Sequence, residues 1–175
     1  MIRLPLLKLI CLAVVVACAV ACAPSHHDDN SSGSTAAAET TAAAPQPAAQ
    51  MTAQTAAERI KAAIPEVSLV MITGDNDANN MIGRSTGYVA ATVIVDPRTG
   101  EECDQTKPEI VCGAGIEQWP DDRAAQQRAD YLKAVLSSMP MLGTEYATLR
   151  GNLLLRVSGK LSPSVADQYK APFNA

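Results

Sequence analysis

The sequence is poor in aromatic residues, and it has no histidine beyond position 27. One Trp, one Phe and four Tyr occur among 175 residues, so the hydrophobic core must be built mainly from aliphatic residues, Met and Ala. Both histidines, His26 and His27, lie near the N-terminus. The rest of the chain therefore lacks the side chain that most often acts as a general base and most often binds metals. We predict that the protein is not an enzyme and that it has no metal site and no cofactor.

Positive charge is also scarce. The formal net charge is −4, from 14 basic and 18 acidic residues. Arg3 and Lys8 fall in a segment that we expect to be removed, which leaves 12 basic residues against the same 18 acidic ones. A nucleic-acid-binding surface needs an excess of basic side chains, so we expect no nucleic-acid partner. The chain also offers no polybasic patch for an anionic membrane, and membrane attachment would depend on a lipid.

The N-terminus has the order of a secretory signal peptide. Two basic residues are followed by an unbroken apolar run over residues 9–20, and small residues then precede a cysteine. The run is shorter than the roughly 20 residues that a membrane-spanning helix needs, which favours cleavage over an uncleaved helix. A cysteine at the exit resembles a bacterial lipoprotein signal. We predict a signal peptide over residues 1–21 and lipidation of Cys22, with Cys18 as the alternative.

Lipoprotein processing, as this resemblance implies, adds a diacylglycerol with acyl chains such as palmitate to the cysteine sulfur. The protein would then lie on the extracytoplasmic face of the cell membrane, attached through its N-terminal lipid. Residues 22–54 are rich in Ala, Thr, Ser, Gln and Pro and have almost nothing to bury, so we predict a disordered tether. Residues 55–175 remain for one globular domain.

The remaining cysteines are consistent with an exported protein. Three of the five cysteines fall within the first 22 residues, which leaves Cys103 and Cys112 as the pair in the domain. In an exported protein such a pair predicts a disulfide rather than two free thiols. A metal pair is disfavoured because the domain offers no histidine and no third cysteine.

Strand and helix patterns follow one another in the domain without a regular βαβ order, which favours an α+β fold. We predict a mostly antiparallel sheet of about four or five strands, packed by one long helix and by short terminal helices. The predicted strands are residues 67–73, 88–95, 109–119, 145–150 and 152–158, the last two as a strand pair or one broken strand. Gly113 and Gly115 in the third strand indicate a bulge or a close approach of another backbone.

The long helix is predicted over residues 121–138, with acidic residues at its start. It has an apolar face at helical spacing, which we expect to cover one face of the sheet. The residues of that face are Ala125, Ala129, Leu132, Val135, Leu136 and Met139. The short helices are predicted over residues 55–64, with Thr55 as the N-cap, and 164–170.

The loop between the first two predicted strands is the most unusual polar stretch of the domain. Asp75, Asp77 and Asn79 alternate like the first ligands of a calcium loop, but the glycine and the glutamate that such a loop needs further on are missing. A strand-connecting loop held by side-chain turns explains the same residues. If the loop instead contacts a ligand or partner, the expected contacts are those three residues with Arg84 and Tyr88. Arg84 has the alternative of pairing with an aspartate of the loop.

Several short motifs follow one another along the domain. They are Asp75-Asn76-Asp77, Met81-Ile82-Gly83-Arg84, Arg128-Ala129-Asp130-Tyr131-Leu132, Thr144-Glu145-Tyr146, Leu153-Leu154-Leu155-Arg156-Val157 and Leu161-Ser162-Pro163. In this order they resemble small uncharacterised lipoproteins of actinobacteria, including mycobacteria. The likeness covers about residues 67–171. It implies a lipid anchor and this type of fold, and it implies no activity.

These observations predict a membrane-anchored envelope lipoprotein that binds another envelope component, protein or lipid, without catalysis. A protein-binding domain would expose an apolar or aromatic patch near Tyr88 or Tyr146. The first alternative, a carrier of a lipid or small molecule, would need a sizeable apolar cavity between helix and sheet. The second, a carboxylate-based hydrolase, would need Glu117 and Glu145 close together.

Overall fold

The structure is a computed structural model, and it describes residues 50–175. The predicted signal peptide, both candidate lipidated cysteines and nearly all of the predicted tether lie outside the described residues. The strands are β1 (Ser68–Ile72), β2 (Ala90–Val95), β3 (Gly113–Gln118), β4 (Glu145–Arg150) and β5 (Leu153–Ser158). The helices are α1 (Ala53–Ala63), α2 (Asp122–Ser138) and α3 (Pro163–Asn174).

The five strands form one sheet in the order β1-β2-β3-β5-β4, and every neighbouring pair is antiparallel. The prediction of an α+β fold with a mostly antiparallel sheet of four or five strands is therefore confirmed. The last two strands are a hairpin and not one broken strand. Gly151 makes its tight turn with φ +55°, a left-handed conformation that glycine adopts without steric penalty.

One face of the sheet is covered by α1 and α3. Because side chains alternate along a strand, Ile94, Ile116 and Leu155 all point to this face. They pack with Tyr169 and Phe173 of α3, which are fully buried. Two of the few aromatic residues thus fill the larger of the two hydrophobic layers.

The other face is covered by α2, and the cover is incomplete. This layer contains Tyr88, Trp119 and Leu154, but Ala125 is the one fully buried residue of α2 itself. Leu132 in the predicted apolar face is only half-buried. The helix therefore forms where its sequence predicts, while most of its apolar face stays partly open to solvent.

Several boundaries differ from the sequence-based prediction, and α3 extends four residues beyond the predicted end at residue 170. The first helix begins at Ala53 and not at residue 55, because its N-cap is Thr52, whose hydroxyl accepts a hydrogen bond from the N–H of Thr55. The earlier start places Ala53 among the buried residues. The third strand begins at Gly113, after a 3₁₀ turn. A Cβ on Gly113 would lie 2.6 Å from the carbonyl oxygen of Ile94, so close backbone approach, and not a bulge, explains this glycine.

Cys103 and Cys112 are joined by a disulfide, as predicted, with their Cα atoms 5.1 Å apart. Cys112 is buried at the start of β3, and Cys103 lies in the long loop after β2. The bond therefore fastens an otherwise polar loop to the centre of the sheet.

Candidate functional site

Asp77 organises the loop between β1 and β2. Its Oδ2 accepts hydrogen bonds from the backbone N–H groups of Met81 (2.6 Å) and Ile82 (2.9 Å), and its Oδ1 accepts one from the N–H of Asn79 (3.0 Å). The hydroxyl of Tyr88 also donates to Oδ1. Burial opposes ionisation of Asp77, but these hydrogen bonds outweigh it and lower the pKa of the carboxyl.

Tyr88 closes the inner side of this loop. Its side chain is buried, and its ring meets Trp119 edge-on with ring centroids 5.9 Å apart. Burial and the hydrogen bond to Asp77 raise the pKa of the Tyr88 hydroxyl far above its usual value, so the hydroxyl stays a donor at any physiological pH. Tyr88 is consequently not part of an exposed aromatic patch.

The structure separates the five residues that the sequence predicts as one contact surface into two groups. Asp77 and Tyr88 point inward and bind each other, while Asp75, Asn79 and Arg84 lie on the surface. Among the salt bridges of the described residues, none joins Arg84 to Asp75 or Asp77. The loop is thus held by the hydrogen bonds of Asp77, and of the five predicted contacts only Asp75, Asn79 and Arg84 are exposed to a ligand or partner.

Residues 83–87 have the spacing Gly-x-Ser-x-Gly, a motif for which no role was predicted from the sequence. In hydrolases this motif places the serine at a sharp strand-to-helix turn beside a histidine. Here Ser85 lies in successive turns with no helix after it, and the described residues contain no histidine. Gly87 has a packing reason of its own, because a Cβ there would lie 1.9 Å from the carbonyl oxygen of Met81. Packing and turn geometry therefore explain this segment as a connector between β1 and β2.

An open groove with a volume of about 730 Å³ lies between α2 and the edge strand β4. Ligand sites commonly have volumes of about 300–1,000 Å³. The apolar residues that line it include Leu132 and Leu136 of α2 with Ala147 and Leu149 of β4. The polar residues that line it are Gln126, Asp130, Lys133, Ser137, Thr144 and Glu145.

Small side chains and strand order together leave this groove open. Ala129 on the helix and Ala147 on the strand are too short to meet across the gap. Because β4 is an edge strand, no further strand extends the sheet beneath α2. Leu132 and Leu136 were predicted only as part of an apolar helix face that covers the sheet, and no local signal in the sequence places Ala147 opposite them at the sheet edge.

Glu117 and Glu145, the pair considered for a hydrolase, do lie close together, and Arg156 joins them. Its Nη1 donates to Glu117 Oε1 at 2.6 Å, while its Nη2 and Nε donate to the two oxygens of Glu145 at 2.7 and 2.8 Å. Glu117 Oε2 also accepts from Trp119 Nε1 (3.1 Å) and from Arg128 Nε of α2 (3.3 Å). This ionic cluster ties α2 to β3, β4 and β5.

The cluster is largely buried and holds neighbouring elements together. The Arg156 side chain is 7 % exposed and that of Glu117 4 %. Burial opposes the charge of Arg156, but its bonds to both glutamates outweigh that effect and raise its pKa further. Each glutamate oxygen accepts at least one hydrogen bond, so both carboxylates are held in place by the cluster.

A second groove, of about 670 Å³, lies on the opposite side of α2. It runs between the helix and residues 81–87 and contains the exposed ring of Tyr131. The guanidinium carbon of Arg128 lies 5.9 Å from the centre of that ring. Tyrosine and arginine are enriched where proteins bind one another.

No protein-family model, no curated protein and no solved structure matches this chain. Within residues 50–175, no helix is long and apolar enough to cross a membrane.

Proposed function

We propose that this chain is a lipid-anchored envelope protein whose domain binds, without catalysis, an amphipathic molecule that has an apolar chain. The open groove between α2 and β4 is the observation on which this proposal rests. Its apolar lining from Leu132, Leu136 and Leu149 suits a hydrocarbon chain, and its polar residues suit a headgroup. The N-terminal signal pattern and the disulfide support a location outside the cytoplasm.

The hydrolase alternative is weakened by the ionic cluster. A carboxylate that acts as a general acid or base must be able to exchange a proton with the substrate. Glu117 and Glu145 are instead both bound to Arg156. Binding of a molecule, and not its conversion, is therefore the function that the groove supports best.

A partner protein is the second candidate, and one observation favours it. Tyr131 is 60 % exposed beside Arg128 in the groove on the other side of α2. Exposed aromatic rings next to arginine often anchor protein interfaces. This candidate is tested by crosslinked capture from intact envelopes, with the Tyr131→Ala variant compared with the unchanged protein. Equal capture of the same partners by both proteins would count against it.

Photolabelling tests the main proposal on the full-length protein in intact envelopes. The probe is a palmitic acid analogue that carries a diazirine in its chain, and labelled peptides are located by mass spectrometry. We expect labels in residues 132–136 and 147–149. Ala147→Trp should fill the groove and lower this labelling by about tenfold, which corresponds to about 1.4 kcal/mol of lost binding.

Ala134→Trp is the matched control, because Ala134 is an exposed residue of α2 that does not line the groove. Its labelling should equal that of the unchanged protein. Labels spread evenly over the surface, or equal labelling of both variants, would refute the groove as the binding site.

A further inference from the structure

The end of α2 carries an apolar tip. Residues 134–144 contain no charged side chain, and they form the last turns of the helix, a 3₁₀ turn (Pro140–Leu142) and the turn before β4. Met141 is 91 % exposed, Leu142 57 % and Met139 43 %. Large apolar side chains grouped at one protruding turn indicate a surface that is covered by something in use.

The tip and the groove are continuous. Pro140 and Gly143 line the mouth of the groove between α2 and β4, so the exposed methionines stand beside its entrance. On the other side of the turn, Leu142 and Val111 line a smaller cavity of about 270 Å³. An apolar chain that reached the tip could contact Pro140 and Leu136 at this end of the groove, beside the polar Thr144 and Glu145.

The chemistry of the tip favours a lipid surface over a protein as the covering partner. The segment carries no charge of either sign, so its entry into a hydrocarbon layer would desolvate no ionised side chain, and it offers a protein partner no ion pair. The predicted anchor at Cys22 precedes the described domain by about 30 residues. A flexible chain of that length spans about 30 Å, so the domain would stay within reach of its own membrane.

We propose that Met139, Met141 and Leu142 insert into the membrane and that the groove takes its acyl chain directly from the bilayer through this tip. The choice of an acyl chain rests on the proposed function, whereas insertion of the tip does not. Because the tip carries no charge, its insertion should occur on a zwitterionic bilayer and should not depend on salt.

Tryptophan reporters test the insertion. Met141→Trp and Met71→Trp are made in the full-length lipidated protein, which is reconstituted on phosphatidylcholine vesicles whose acyl chains are brominated. Met71 is 54 % exposed on β1, at the opposite edge of the sheet, and it is the matched control. The fluorescence of the unchanged protein gives the contribution of the native Trp119.

Bromine quenches tryptophan only at short range, so quenching reports entry into the acyl region. We expect strong quenching and a blue-shifted emission for Met141→Trp, equal at low and high salt, and neither change for Met71→Trp. An unquenched Met141→Trp, or equal quenching of both variants, would overturn the proposal. Both reporters replace exposed side chains, so a folding failure is not expected to intervene.

A second measurement separates the tip from the groove. Met141→Glu should lower groove labelling by a diazirine phospholipid placed in the bilayer, and it should leave labelling by a short, water-soluble diazirine fatty acid unchanged. Equal loss with both probes would overturn entry through the tip. If neither probe labels the groove of the unchanged protein, the proposed function is refuted. The quenching result would still decide whether the tip inserts into the membrane.

Discussion

Replacing Arg156 by Met should destabilise the domain strongly, because it removes the cation that joins the buried Glu117 to the partly buried Glu145. The guanidinium makes three hydrogen bonds of 2.6–2.8 Å to Glu117 and Glu145. Methionine has an unbranched side chain of similar reach, so the substitution removes mainly charge and hydrogen bonds and only a little packing. Two partly desolvated carboxylates are then left facing each other without the shared cation.

The expected loss follows from the residual contacts. Removing one partner of a buried ion pair costs about 3–5 kcal/mol. Glu117 keeps its contacts with Arg128 and Trp119, and the Glu145 side chain is 16 % exposed, so we expect the lower end, about 3 kcal/mol. For a domain of this size, that loss lowers the melting temperature by about 12 °C.

Urea and thermal denaturation, followed by circular dichroism at pH 7, measure this loss on the full-length protein. Arg123→Met, at an exposed position of α2, is the control and should change stability by less than about 0.5 kcal/mol. The loss of stability from Glu117→Gln should lie between those of Arg156→Met and Arg123→Met, at about 1–3 kcal/mol. Arg156 then still keeps its hydrogen bonds to Glu145. If Arg156→Met lies within about 1 kcal/mol of the control, the glutamates are hydrated in solution and the cluster does not hold α2 to the sheet.

Other buried groups give further expectations. Tyr169→Phe should cost about 1–3 kcal/mol in urea denaturation, because Asp96 Oδ2 loses the hydroxyl donor at 2.6 Å, and an unchanged midpoint would contradict this contact. Burial opposes ionisation of Asp96, but Arg98 and Tyr169 lower its pKa, so its contribution should be lost as pH falls below about 4, and Asp96→Asn should flatten that acid limb of a pH–stability curve. Burial and Asp96 raise the pKa of Tyr169, so stability should fall as pH rises above about 10, and Tyr169→Phe should weaken that alkaline loss. Replacing Cys103 and Cys112 together by Ser should lower the free energy of unfolding by about 2.5 kcal/mol, and an effect below about 0.5 kcal/mol would mean that the loop is ordered without the bond.

The sheet and the helices could be predicted from sequence because their signals are local. Runs of β-branched and apolar residues predicted the first three strands and left the last two as a strand pair or one broken strand. The predicted start of α2 at Asp121 is one residue early, because Asp121 is the N-cap and the helix begins at Asp122. The cap of α1 was misplaced by three residues because Thr52 and Thr55 are both acceptable N-caps. Burial of Ala53 decided between them, and burial depends on α3 and the sheet, which the local sequence does not contain.

Composition predicted a polar loop after β1, but it did not predict the hydrogen bonds that hold the loop. Alternating acidic and amide residues locate a polar loop, but they do not say which side chain turns inward. Asp77 turns inward because Tyr88, eleven positions later, donates to it and because three backbone N–H groups converge on its oxygens. A long-range partner and a set of backbone positions thus decide the role of a residue that looks equivalent to Asp75.

The apolar face of α2 shows most clearly what periodicity leaves open. Helical spacing establishes that one side of the helix is apolar, but only the arrangement of the strands decides whether anything covers it. Here β4 is an edge strand with Ala147 under the helix, and Leu132 and Leu136 stay half-exposed. A leucine at position 147 would bury more apolar surface, and each additional CH₂ buried there would stabilise the domain by about 0.8 kcal/mol. The open groove is therefore a consequence of the strand order and of the small residue at position 147, which the periodicity of the helix does not contain.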